Sequence, residues 1–405
     1  MKEDLIKSLL KVVSRFVLWL NQYGEESYDF QTFYASPVGL NAKMLYYKQP
    51  WLGTLAVAPI IFCEAFVPSA RRLFWKPQRF PIADAHYAMG FAALSEGLGD
   101  KKFYERAVHF LQVLEETRCP NQTQYAWGYP FDWGGIGGII KEGTPLITTE
   151  PYVYEAFAQV YEIDKDERWW KVMQSLAQHA SEDYFDTETS PRASSSSYCP
   201  STTPDTGRVV NASAYRAFLL TKAAMDFSNE QYRRQAERNM RFVIESQNPD
   251  GSWYYAMDGT RSFIDHFHTC FVLKALAKIE RLTGNADCTA AIERGVRYYT
   301  EHLFDDSGLP KPFSKAPRLT IYRRELYDYA ECINIATLLQ GRFPTLDQRL
   351  ETVVEDILGR WQRSDGSFRS RHLLLGWDDV PMHRWAQAQL FRSLSMLIAE
   401  SRAGL

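Results

Sequence analysis

The chain has 405 residues, of which 45% are hydrophobic and 23% charged, with a net charge of −3. That composition supplies a large core and excludes a disordered chain, and the length allows two or three domains or one large repeated one. The charge balance excludes the basic excess of a nucleic-acid binder, and 23 Gly with 19 Pro exclude the fibrous and low-complexity classes.

The first 24 residues, MKEDLIKSLLKVVSRFVLWLNQYG, read as an amphipathic helix without a continuous apolar core or a small-residue cleavage site, so no signal peptide is expected. The most apolar stretch, Leu52–Val67, is 16 residues long and interrupted by Pro59 and Glu64, too short for a comfortable membrane span. Arg71, Arg72, Lys76 and Arg79 follow it. Residues 52–79 therefore read either as a core segment with a solvated basic edge or as a patch that lies on an anionic membrane surface. Six scattered cysteines (Cys63, Cys119, Cys199, Cys270, Cys288, Cys332) without a C-x-x-C pair fit free thiols in a reducing compartment, and no metal or other cofactor is expected. The expected location is cytoplasmic, at most peripheral to the inner membrane.

From residue 81 onward the periodicity is helical and repeats. Helices rich in small residues start near Ile82, Thr149, Asn211, Ile264, Tyr327 and Pro381. Charged amphipathic helices follow the first five, at Phe103–Thr117, Glu167–Ala180, Glu230–Gln247, Thr289–His302 and Thr345–Gln362. The starts are roughly 50–70 residues apart, long for a solenoid unless large loops are inserted. Connections from a small-residue helix to its charged partner are a few residues long, and the return connections are long. In a ring of hairpins this puts every long loop on one face, where binding and chemistry sit. Six inner helices need six outer ones, and the N-terminal helix supplies the sixth. The pattern predicts an all-α (α/α)6 toroid, with a closing helix at 1–22, an insertion at 23–80 and the toroid at 81–405.

Two turns repeat across this region. Gln247-Asn-Pro-Asp-Gly251-Ser-Trp253 has a Q-x3-G-x-W form, and Gln362-Arg-Ser-Asp-Gly366-Ser-Phe368 matches it with Phe for Trp. Gln can cap backbone groups at a helix end, Gly allows a tight turn, and the aromatic seals the ring. The form resembles the turns of triterpene cyclases, but the acidic D-x-D-D signature of those enzymes is absent; Asp378-Asp379 alone does not replace it. The zinc set of protein prenyltransferase β subunits has no match either. Across roughly residues 80–400 the architecture more closely resembles six-hairpin proteins acting on polysaccharides: toroidal glycosidases, polysaccharide lyases and the toroidal domain of glucuronyl C5-epimerases. Residues 28–80 also resemble the N-terminal part of bacterial proteins associated with surface-polysaccharide synthesis.

In such a ring the first turns of the inner helices face the mouth. They carry Asp84, His86 and Tyr87; Glu150, Tyr152 and Tyr154; Asn211, Ser213 and Tyr215; Asp265, His266 and His268; Asp328, Tyr329 and Glu331; His383, Arg384 and Trp385. His, Tyr and carboxylate are the groups for proton transfer near neutral pH, and Arg grips a carboxylate or phosphate in two-toothed fashion. Each acid also has an ordinary reading as an N-cap, each Tyr as packing and each lone His as structural. Positions 266 and 268 are about 200° apart on a helix, so both face the mouth only if one lies in the entry turn. The loop Trp127–Gly138 offers Trp127, Tyr129 and Trp133 as stacking surfaces, Ser194–Thr202 reads as a mobile cover, and Arg323-Arg324 as a binding site for an acidic group.

These residues predict an enzyme acting on an oligo- or polysaccharide, the substrate being an acidic glycan. Proton abstraction of the epimerase or lyase kind needs a base, an opposing acid and a cation to stabilise an enolate. His266 or His268 beside Asp265, with Tyr329 and Arg384, fit those roles. Glycoside hydrolysis needs two carboxylates about 5–10 Å apart, and Glu150 and Asp328 are among the candidates. Asp84, His86, Tyr152, His383 and Trp385, with the three rings of the aromatic loop, are the expected substrate contacts. The alternatives are an isoprenoid cyclase and a non-catalytic glycan-binding scaffold.

Overall fold

Small side chains let helices approach closely, and six such helices form the inner layer: α6 (Pro81–Leu98), α8 (Glu150–Asp164), α10 (Val210–Asp226), α12 (His266–Thr283), α14 (Leu326–Leu338) and α16 (Ala388–Ala403). The computed structural model describes residues 3–200 and 208–403. Each inner helix packs on the next in chain order, and α16 packs back on α6. A Cβ added to Gly90 would stand 2.6 Å from the Phe391 ring, so this last seam requires glycine. Outside them run α7 (Lys101–Glu116), α9 (Glu167–Glu182), α11 (Glu230–Glu245), α13 (Ala286–His302) and α15 (Pro344–Asp356), each with one apolar face. The short connections are short because stop and start signals abut. Gly99 and Gly284, both left-handed, end α6 and α12, and the next residues, Asp100 and Asn285, cap α7 and α13 with their side chains.

The N-terminal helix α1 (Glu3–Tyr23) takes the sixth outer place, packing on α16. The two repeated turns show how. Gln247 Nε2 donates to the Gly251 carbonyl within its turn and, at 2.9 Å, to the Ala291 carbonyl of α13. Gln362 Nε2 does the same to the Gly366 carbonyl and, at 2.8 Å, to the Val12 carbonyl of α1. Gly251 and Gly366 have φ of +92° and +97°, and added Cβ atoms would meet the carbonyl oxygens of Arg294 and Arg15 at 2.4 and 2.5 Å. The glutamines thus tie each turn to the following outer helix, and by this equivalence α1 follows α15.

Between α1 and α6 the chain forms a lid over the long-loop face: α2 (Thr32–Ala35), α3 (Pro37–Lys48), α4 (Pro50–Phe66) and α5 (Arg71–Phe74). Ion pairs fasten it: Asp29 with Arg384 (2.6 Å), Glu64 with Arg371 (2.8 Å) and the fully buried Arg71 with Asp378 (2.7 Å). The long loops carry short strands: β1 (Trp133–Gly135) with β2 (Gly138–Ile140), β3 (Asp186–Ser190) with β4 (Ala193–Ser196), β5 (Ile264–Asp265) with β6 (Phe313–Lys315), and β7 (Tyr322–Glu325), β8 (Arg371–Leu373) and β9 (Trp377–Asp378) in one sheet. All pairings are antiparallel. The expected mobile cover is corrected here: residues 194–197 are buried, Ser194 and Ser196 in β4, and Ser196 N donates to Ser213 Oγ. Positions 201 and 202 of that segment lie outside the described residues.

Candidate active site

Two layers of polar side chains occupy the ring axis. The upper one is the mouth, under the lid. Asp265 caps α12, accepting from His268 N at 2.9 Å through Oδ1, while Oδ2 lies 2.6 Å from His268 Nδ1. Pairing of β5 with β6 fixes this entry turn. A carboxylate can only accept here, so His268 Nδ1 carries a proton, and in the neutral imidazole the lone pair lies on Nε2. Nε2 has no protein partner among the described residues, and the side chain is 23% exposed. Half-buried aromatic rings surround it. Tyr255 and Phe267 lie 4.7 and 4.5 Å from the His268 ring, and Phe267 lies 5.2 Å from Trp385. Trp385 is held between Phe30 of the lid (4.3 Å) and Tyr327 (4.5 Å). On the other wall Trp133 contacts Tyr129 and Tyr198 at 5.8 and 5.7 Å.

Charge gathers at the rim. Arg384 is held by Asp29 and reaches the Tyr129 hydroxyl at 3.3 Å, and its guanidinium lies 4.7 Å from that ring. Trp385 and Arg384 sit in a π-helical turn, 383–387, that opens α16 and aims both inward. On α3, burial and then repulsion from Arg318 push the Lys43 ammonium down to about 8.

Below the floor of Phe267, Phe271, Tyr327 and Trp385 lies the second layer, with one or more side chains from every inner helix. His86 lies 4.5 Å from the Tyr152 ring, and the Tyr152 and Tyr215 hydroxyls are 2.7 Å apart. Lys274 is ion-paired with Glu331 and donates to Tyr152 Oη at 3.2 Å. Both His86 nitrogens, Arg392 Nε and Nη1, Glu331 Oε1 and the Asn334 amide are buried without a protein hydrogen bond. Burial, with Arg392, Lys274 and Lys278 nearby, holds His86 neutral, far below the ordinary imidazole value. Unpaired buried polar atoms cost about 1–3 kcal/mol each, so this layer is built to take polar atoms from outside the chain, either water or a ligand.

The sequence candidates divide accordingly. Asp265, His268, Arg384, Trp385, Tyr129 and Trp133 meet at the mouth, and His86 and Tyr152 lie in the axial layer. Asp328 is buried beside Asp265 and Glu325, both oxygens unpartnered, and burial followed by those two acids holds its carboxyl protonated well above the usual range. The others are corrected. His266 points between α12 and α13, donating from Nδ1 to the Leu303 and Lys311 carbonyls (both 3.2 Å) and accepting from the Tyr299 hydroxyl at 2.7 Å; burial pushes it down to about 3. Tyr329 points outward and donates to Asp356 of α15. Glu150 points at α9, where Oε1 accepts from Trp127 N and lies 3.8 Å from His179 Nε2. His383 is enclosed by the Tyr87 hydroxyl and the Gly24 carbonyl. Asp84 is clasped by Arg79, yet burial outweighs that pairing and pushes it up to about 7. Trp127 is fully buried and donates to the Leu114 carbonyl, so it is core and no stacking platform. Arg324 is paired with Asp305.

Sequence reasoning missed Lys274, Arg392, Lys43, Asp29 and Tyr255. For the first two a signal existed: His268, Phe271 and Lys274 are three apart on α12, and Trp385, Gln389 and Arg392 descend one face at the start of α16. A charge on the axial stripe of an otherwise apolar helix marks this layer. A groove of about 560 Å³ between α13 and α15 holds no unpartnered buried polar atom and receives no role.

No family model matches the chain, and no characterised protein matches it by sequence. Solved structures do resemble it, and those described here share the (α/α)6 toroid and act on sugars. A cellobiose 2-epimerase from Bacillus thermoamylovorans B4167 superposes with a TM-score of 0.62 at 10% identity, over 81% of this chain and 88% of that one. A family 76 glycoside hydrolase from a bovine Bacteroides thetaiotaomicron strain gives 0.60 at 13%, over 80% and 70%. An unsaturated glucuronyl hydrolase from Bacillus sp. GL1, responsible for glycosaminoglycan degradation, gives 0.56 at 16%, over 78% and 86%. At such identities the likeness establishes the fold.

Proposed function

We propose that this protein is an enzyme that moves a proton at a sugar carbon of a complex glycan, by epimerisation or elimination, with His268 as the base. The observation that carries the reading is the Asp265–His268 pair: a histidine whose tautomer is set by a carboxylate, with a free Nε2 facing a mouth walled by aromatic rings. Nε2 takes the proton from a carbon next to a carbonyl or carboxylate. The electron pair passes into that group, and the resulting enolate is stabilised by positive charge. In this reading Arg384 and Lys43 supply that charge. Return of a proton to the opposite face gives the epimer, and loss of a substituent one carbon further on gives an unsaturated sugar. The cations of this mouth, Arg384 and Lys43, support an acidic glycan as substrate. The toroidal neighbours, an epimerase and two glycoside hydrolases among them, support chemistry on a sugar. Hydrolysis is the second reading, favoured by the protonated Asp328 beside Asp265, but Asp328 is fully buried behind the wall and the mouth offers no free pair of carboxylates among the described residues.

The test is exchange of solvent deuterium into uronate-containing oligosaccharides. The wild-type protein is expected to incorporate deuterium at carbon, and His268→Ala to lose about 10²–10⁴-fold in rate with an unchanged melting temperature. Release of shorter sugars without exchange, abolished by Asp328→Asn and retained in His268→Ala, would transfer the site to the hydrolytic reading.

A further inference from the structure

We propose that the α3–α4 hairpin of the lid is a docking surface for an anionic lipid bilayer, holding the long-loop face of the ring against the membrane. The helix α4 is apolar over most of its circumference, and its outer side is uncovered. Trp51 is 76% exposed, and Leu52, Leu55, Phe62 and Phe66 are exposed on the same helix; Leu73, 88% exposed, follows in α5. An uncovered apolar surface of this kind marks an interaction site. The one charge in α4, Glu64, is turned inward onto Arg371, so the exposed face carries none.

The charge around that face identifies the partner. Residues 37–80 contain six Lys or Arg; of these Arg71 is buried against Asp378 and Arg79 is paired with Asp84 and Glu25, and Glu64, the one acid of the segment, is turned onto Arg371. Lys48, Arg72 and Lys76 are exposed at its edges. Apolar side chains flanked by Trp and cations match the acyl boundary and headgroup layer of an anionic leaflet. A helix of 17 residues is about 26 Å long, short of the hydrocarbon thickness, and the chain bends by 118° between α4 and the segment that follows. It therefore lies in the interface. Among the described residues no single helix is long and apolar enough to cross a membrane.

The mount is rigid. A Cβ on Gly53 would fall 2.0 Å from Tyr46 Cα, so α3 and α4 are in backbone contact, and one on Gly134 would lie 3.0 Å from Leu40 and Met44. With the buried Arg71–Asp378 pair, this fixes the apolar face to the rim of the mouth. If the proposed glycan chemistry holds, the substrate is a glycan carried on a membrane lipid; the docking itself does not rest on that chemistry.

The test is co-sedimentation with phosphatidylcholine vesicles made with and without phosphatidylglycerol. Wild-type protein is expected to sediment with the phosphatidylglycerol vesicles and to be released by salt. Leu55→Asp/Phe62→Asp is expected to lose at least about tenfold in partitioning, and Lys48→Gln/Arg72→Gln/Lys76→Gln to lose the preference for phosphatidylglycerol. Trp51→Ser/Leu73→Ser gives the same readout should the aspartates impair folding. Failure of the wild type to bind, or equal binding by the apolar-face variants, overturns the proposal. So does a lipid-free dimer that these variants convert to monomer, which would give the face to a second copy. Active but unbound protein counts against docking, and bound but inactive protein counts against the His268 chemistry.

Discussion

His266 and His268 are separated by one residue and have opposite environments. His266 has both nitrogens satisfied inside the helix packing, so His266→Ala removes three hydrogen bonds and a buried ring. That variant is expected to lower the melting temperature, whereas His268→Ala removes a half-open side chain and is expected to lower turnover. Trp127→Ala belongs with the first: a fully buried indole with a satisfied N–H costs about 3–5 kcal/mol on truncation, measurable by chemical denaturation. Unchanged stability would return Trp127 to the surface. Asp328 predicts a pH effect. Its carboxyl stays protonated in the folded chain and ionises near pH 4 when unfolded, so the unfolded state binds fewer protons above that pH. Folding stability from this group is present at low pH and declines as pH rises. Asp328→Asn should therefore gain on wild type by up to about 1.4 kcal/mol per pH unit above pH 4, in denaturation curves at pH 5, 6 and 7. A constant difference would mean that Asp328 is already charged in the folded chain.

Elements are joined here by turns that a side chain would block. Gly366 is left-handed and faces the Arg15 carbonyl, as Gly251 faces that of Arg294. Gly366→Ala is expected to displace α1 and Gly251→Ala to displace α13, each destabilising by more than the ~1 kcal/mol that a Gly→Ala replacement gains where the backbone conformation permits it. Hydrogen exchange distinguishes them: α1 loses protection in the first variant and α13 in the second. Equal loss around the whole ring would show that the turns do not act on their own helix. The same elements set the chemistry, because the Asp265 cap that starts α12 is also the group that orients His268.

At the scale of the molecule, the lid and ring meet through buried charge. Asp378→Ala leaves Arg71 buried without its carboxylate, a change of about 3–5 kcal/mol. The expected outcome is proteolytic cleavage within residues 24–80 before the toroid unfolds. Simultaneous loss of lid and ring would mean that the two form one cooperative unit. Loss of the lid also removes Phe30 from Trp385 and Asp29 from Arg384, so sugar binding should weaken even where the ring survives.

The ring was legible in the residues because it follows from local rules. Small residues at helical spacing, amphipathic partners and abutting stop and start signals dictate hairpins, and the Q-x3-G-x-[WF] turns repeat where one outer helix hands over to the next. Inner-helix starts expected near Ile82, Thr149, Asn211, Ile264 and Tyr327 fall at Pro81, Glu150, Val210, His266 and Leu326. Helical periodicity does not say which first-turn residue faces the axis. A rotation of about 100° per residue separates His268 from its neighbour, and the β5–β6 pairing that sets the rotation joins residues far apart in the chain. Tyr329, Glu150 and His383 carry the right chemistry and point at outer helices or the lid junction for that reason. Asp29 and Glu64, which pair with Arg384 and Arg371, lie in the lid, hundreds of residues away, so only tertiary structure decided that the mouth is roofed and which cations reach it. The apolar run at 52–67 was evident from composition alone; that its outer side stays uncovered depends on how α3 and α4 sit against the ring.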